Sequence, residues 1–78
     1  MTTTTSNLTL VDLLPRAVDD AERLMRRGDW VELRIDARRS EHPITLDHGT
    51  YTPLGVLERS IETIQYHWTG HRVKTVHP

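Results

Sequence analysis

Seventy-eight residues with ten basic and eleven acidic side chains, a net charge of −1 and no cysteine describe one small domain near the lower size limit for a self-sufficient core. The missing cysteine excludes disulfides, thiolate catalysis and cysteine-held metals, and the even charge balance argues against a dedicated nonspecific DNA binder. No apolar run is long enough to span a bilayer, and the polar N-terminus lacks the pattern of a secretory signal; a cytoplasmic protein without a membrane segment is expected.

Residues 1–7, Met1-Thr2-Thr3-Thr4-Thr5-Ser6-Asn7, read as a flexible Thr-rich tail, leaving 8–78 as a single α+β domain. Leu8 to Val11 alternates briefly and suits either a short strand or the lead-in to a helix. Asp12 then offers an N-cap and Pro15 is tolerated in a first turn. Leu14, Ala17, Val18, Ala21, Leu24 and Met25 form an apolar stripe at helical spacing. Asp19, Asp20 and Glu22 precede Arg23, Arg26 and Arg27, an order that suits the helix dipole, and Gly28 ends the helix.

Residues 30–35 alternate, with Val31, Leu33 and Ile35 opposite Trp30, Glu32 and Arg34, as in a half-buried strand. After a polar loop, residues 44–48 alternate again and read as the antiparallel partner, with Gly49 marking a turn, bulge or strand end. Leu54, Leu57, Ile61, Ile64 and Trp68 then recur at spacings of three and four. With Thr52 as N-cap, Pro53 at the first position and Gly70 as the stop, this predicts a second helix over 52–69. Residues 71–77 suit a last edge strand or a loose tail. The expected fold is a small two-layer α+β sandwich of core order α-β-β-α, a β-hairpin packed by two helices. If both ends pair it becomes β-α-β-β-α-β, the ferredoxin-like plan.

Chemistry is sparse. There is no Gly-rich phosphate loop and no nucleophile elbow, so no catalytic residue and no cofactor is expected. His67 and His71 stand at i, i+4, the spacing of two imidazoles sharing a metal on a helix. Gly70 would end that helix before His71 and turn it away, and Asp47 and His48 would join only through tertiary contact. A metal site is therefore not expected. Trp30, Arg34, Arg38 and Arg39, with one tyrosine, are the candidate partner-binding residues, since Trp, Tyr and Arg most often anchor interfaces.

The leading expectation is a non-catalytic protein-binding module, a regulator, adaptor or inhibitor of the kind mobile elements carry. It would act on a partner protein, with a homodimer as a natural support for so small a core. The alternative is a nucleic-acid-binding accessory protein that uses Arg38 and Arg39 at the hairpin tip and Arg23, Arg26 and Arg27 at the helix end. A second alternative is a metal-binding protein built on Asp47, His48, His67 and His71.

Overall fold

In the computed structural model, which describes residues 8–36, 38 and 41–77, one helix lies across one face of a four-stranded sheet. The helix α1 spans Leu10–Arg26 and is followed by β1 (Trp30–Ile35), β2 (Ile44–Tyr51), β3 (Leu57–Tyr66) and β4 (Arg72–Val76). All strand pairs are antiparallel and the spatial order is the chain order. The α+β class and the two-layer plan hold, but the second layer contains one helix. The expected tail, residues 1–7, lies outside the described residues.

Helix α1 starts earlier than the apolar stripe suggested. Thr9, not Asp12, is the N-cap, and Asp12 sits at the third helical position. The Thr9 N–H donates to Asp12 Oδ2 at 3.0 Å while Asp12 N–H donates to Thr9 Oγ1 at 3.3 Å, a reciprocal capping box. Hydrogen bonds from the Thr9 backbone and side chain hold the Asp12 carboxyl below its ordinary range. Of the two readings of residues 8–11, the lead-in to the helix holds: Thr9 caps α1 and Leu10 and Val11 open it. Pro15 lies inside the helix, where it removes one backbone bond to Val11. Val11 is exposed, so water can satisfy the carbonyl left without a partner. At the other end Gly28 adopts φ 98°. Its N–H reaches the Met25 carbonyl at 2.9 Å and the Asp29 N–H reaches Leu24 at 3.1 Å, the two bonds of a Schellman stop.

The expected helix over 52–69 is a turn followed by a strand. Thr52-Pro53-Leu54-Gly55 closes a β-turn in which the Gly55 N–H donates to the Thr52 carbonyl at 2.9 Å, with Gly55 at φ 83°. Thr52 Oγ1 also accepts the Val56 N–H at 3.2 Å. A Thr-Pro pair that could open a helix serves equally as the first half of a turn. Beyond it, Ile61, Thr63 and Ile64 are β-branched and fit a pleated surface. Pairing with β2 sends Glu62, Ile64 and Tyr66 to the helix side, opposite His48, Leu46 and Ile44. The apolar spacing of three and four is therefore split: Ile64 is buried, whereas Leu54 and Leu57 are exposed. With residues 8–11 leading into α1 rather than pairing in the sheet, and 57–66 extended, the ferredoxin-like completion falls too. Only its last element, the edge strand at 72–76, forms.

The core joins Leu13, Ala17 and Ala21 of α1 to Ile44 and Leu46 of β2 and Ile64 and Tyr66 of β3, flanked by Leu10, Leu14, Leu24, Val31 and Leu33. Val18 and Met25, expected in the stripe, are exposed. Where β2 crosses Gly49 its register against β3 shifts, and the backbones come very close. A methyl at Gly49 would lie 1.7 Å from the Arg59 carbonyl oxygen and 2.7 Å from Trp30 Cζ2. Gly49→Ala is expected to destabilise the fold by at least about 3 kcal/mol in urea denaturation followed by tryptophan fluorescence. Gly55→Ala, where nothing lies within 4 Å, strains only the backbone and costs about 1–2 kcal/mol. The reverse ranking would show that the close approach at Gly49 is not a constraint.

Candidate functional site

The β2–β3 hairpin runs past its neighbours. Pairing with β1 ends at Trp30–Gly49 and pairing with β4 ends at Glu62–Val76, so residues 50–61 extend as an arm. At the base of this arm a groove of about 520 Å³ is lined by Met25 from the helix end, Trp30 and Val31 from β1, and Tyr51 and Leu57 from the arm. Leu54 is 91 % exposed at the tip, and Met25, Tyr51, Val56 and Leu57 are also exposed. Trp30 is partly buried because its ring rests on Gly49 and its indole N–H donates to the Thr50 carbonyl at 2.8 Å. The candidate residue Trp30 and a tyrosine, Tyr51, do therefore come together. Met25 and Leu57 join them unforeseen, because each counted towards a core-facing stripe.

The candidate arginines are elsewhere. Arg34 is four residues along β1 and its guanidinium is held by Glu32 at 2.7 Å and Asp47 at 3.6 Å; hydrogen bonding and charge from Glu32, then the charge of Asp47, raise its pKa further. Arg38 stands in the β1–β2 loop beside Asp36, and Arg39 lies outside the described residues. Arg23, Arg26 and Arg27 are at the end of α1, with Arg23 on Asp20 and Arg27 3.5 Å from Asp29. The length of β1, on the order of 20 Å, separates this cluster from Arg38, so the two do not make one basic surface.

Two charged networks occupy the helix side of the sheet. In the first, Asp20 is 5 % exposed and accepts from the Tyr66 hydroxyl at 2.7 Å, from Arg72 at 2.6 Å and from Arg23. Burial alone would raise its pKa, but the bonds from Tyr66 and Arg72 and the charges of Arg72 and Arg23 outweigh it and leave the carboxyl low. Burial and the Asp20 carboxylate push the Tyr66 phenol up. In the second, His48 is 3 % exposed, with Nδ1 2.9 Å from Asp29 Oδ2 and Nε2 3.1 Å from Glu62 Oε1. Each ring nitrogen is thus within hydrogen-bond distance of a carboxylate oxygen, and the ring ties the start of β1 to β3 through β2. Sequence reasoning missed both networks. One signal was present: Asp20 is three residues from Ala17 and four from Leu24, a carboxylate inside the apolar stripe.

Networks and helix together border a cleft of about 270 Å³, lined by Arg23, Arg27, His48, Glu62, Arg72 and Lys74 among others. The four residues of the metal alternative do not meet. Asp47 pairs with Glu32 and Thr63 across the uncovered face, where it accepts from the Thr63 hydroxyl at 2.6 Å, while His48 is on the helix side. His67 and His71 are in the β3–β4 turn, where the His67 N–H donates to the His71 carbonyl at 3.1 Å. Their rings stack at 4.5 Å, and His42 lies 5.6 Å from His67. Burial, then the charges of His71 and His42, push the His67 pKa down.

Because the folded Asp20 carboxyl titrates below the unfolded value of about 3.9, its stabilisation is complete above that pH and is lost as pH falls through the lower folded value. The stability difference between wild type and Asp20→Asn should therefore shrink as pH is lowered from about 5 to about 2, as read by thermal unfolding. His48→Ala leaves Asp29 and Glu62 without the ring between them and is expected to cost about 3 kcal/mol in urea denaturation.

Compared with family models, curated proteins and solved structures, the chain has no match, and its chemistry is read from these residues alone.

Proposed function

We propose that this chain is a non-catalytic cytoplasmic protein-binding module whose partner docks at the arm end, on Met25, Trp30, Tyr51, Leu54 and Leu57. The observation that carries the reading is the concentration of large exposed apolar side chains on one projecting hairpin and the groove at its base. Contiguous exposed apolar surface on a small domain marks a contact site, and a tryptophan locked by a hydrogen bond beside a tyrosine is a rigid anchor. A second copy of the chain is one partner this surface would accept, since a core this small gains from association.

Charge separation disfavours the nucleic-acid alternative. Its two arginine groups are at opposite ends of β1, and Asp20, Asp29 and Asp36 accompany Arg23, Arg27 and Arg38.

Leu54→Asp and Leu57→Asp place charge on exposed positions and should leave stability within about 0.5 kcal/mol of wild type. Each should nevertheless abolish recovery of the partner from lysate or, for a homodimer, convert the dimer to monomer in light scattering. Arg38→Glu should change neither. Recovery that persists in both leucine variants but collapses with nuclease or added salt would replace this surface with a nucleic-acid contact.

A further inference from the structure

The β1–β2 loop and the β3–β4 turn meet at the end of the sheet opposite the arm, and they bring three histidines together. His42 and His67 lie 5.6 Å apart between ring centres and His67 and His71 4.5 Å apart. Two of the ring nitrogens, His42 Nδ1 and His67 Nε2, are buried and have no hydrogen-bond partner among the described residues. A buried imidazole nitrogen without a partner is costly, and two in adjacent rings call for an occupant. A helix through His67 would end at Gly70 and turn His71 away. That helix does not form, and Gly70, at φ 96°, instead helps the turn bring them back together.

We propose that His42, His67 and His71 bind a single divalent first-row transition ion of the zinc or nickel class. Each ring keeps one nitrogen for the ion. His42 Nε2 lies 3.0 Å from the Gln65 side-chain amide. Turning that amide by 180° leaves its shape unchanged, lets Gln65 Oε1 accept from Nε2–H, and frees the Nδ1 lone pair for the metal. His71 Nδ1 is 2.6 Å from Thr69 Oγ1, which leaves its Nε2 available. A ligating histidine with its other nitrogen held by an outer partner is the usual arrangement in metal sites. No three such side chains converge on one point among the described residues. Binding therefore requires His71, exposed in the turn, to rotate from its stacked position on His67. Neutral imidazole is a ligand for zinc, nickel and copper, and three imidazoles with one position left to water are a set zinc accepts. This site is independent of the arm and of the partner that the arm takes.

The test is a titration of the full chain, purified without a histidine tag and stripped with chelator, with Zn²⁺ by calorimetry and with Co²⁺ by absorption. One ion per chain should bind, with cobalt bands that report nitrogen ligands. His71→Ala, at an exposed position, should weaken binding at least about tenfold without loss of fold, as should His67→Ala if it folds. His77→Ala, whose ring instead contacts Thr63, should bind as wild type does. Affinity should fall on acidification as protons compete for the rings. No binding to the wild type, or binding undiminished in His71→Ala, would overturn the proposal.

Discussion

The structure depends on a mismatch of widths. Four strands at about 4.8 Å spacing make a sheet wider than one helix of about 10 Å diameter can cover. Helix α1 therefore packs chiefly over β1 and β2, and every residue of β4 is exposed. Apolar side chains on the outer half of that face would stand in water. The chain instead places His48, Glu62, Arg72 and Lys74 there, so the helix-facing surface passes from Leu46 and Ile64 to charged groups within a few residues.

This transition explains why charged groups penetrate the core edge. Asp20 is the only carboxylate in the buried stripe of α1, and it receives donors from β3 and β4 at once. Tyr66 is 1 % exposed and brings its hydroxyl to that carboxylate, so one buried point connects the helix with the two strands it covers least. Buried ion pairs of this kind contribute little net stability compared with an apolar replacement. Their geometric demands are strict, however, since a helix shifted by one residue would leave Asp20 without partners. We regard the network as a register pin for α1. The Asp29–His48–Glu62 group plays the same part for the β1 entry, where Gly28 has just ended the helix.

The same geometry separates the two ends of the molecule. At one end the arm projects beyond β1 and β4, and its apolar side chains Leu54, Val56 and Leu57 are exposed. At the other the loop and turn close on each other through the Trp68 N–H, which donates to the Glu41 carbonyl at 3.2 Å, and the Leu8 N–H, which donates to Trp68 at 2.7 Å. An apolar arm and a histidine-lined closed end thus arise from strands of unequal length in one meander. The two surfaces share no residue.

Much of the first half of the chain was legible because its signals are local. The capping residues, the apolar stripe of α1, Gly28 at φ 98° and the alternation of Val31 and Leu33 each involve neighbours within one or two turns. The second half was misread because Thr-Pro-Leu-Gly and the spacing of Leu57, Ile61 and Ile64 fit a helix and a hairpin equally well. Pairing with β2 decided between them, since Ile44 and Leu46 already faced the helix and needed Ile64 and Tyr66 beside them. Trp30 was legible as a surface aromatic, but its groove was not, because Met25, Tyr51 and Leu57 converge from three elements. By itself the sequence determined the class of the fold, its first helix and its first hairpin, through short-range sterics and periodicity. Only the tertiary structure decided that residues 57–66 are a strand, which charges are buried together and which histidines meet, because those depend on contacts between residues distant in the chain.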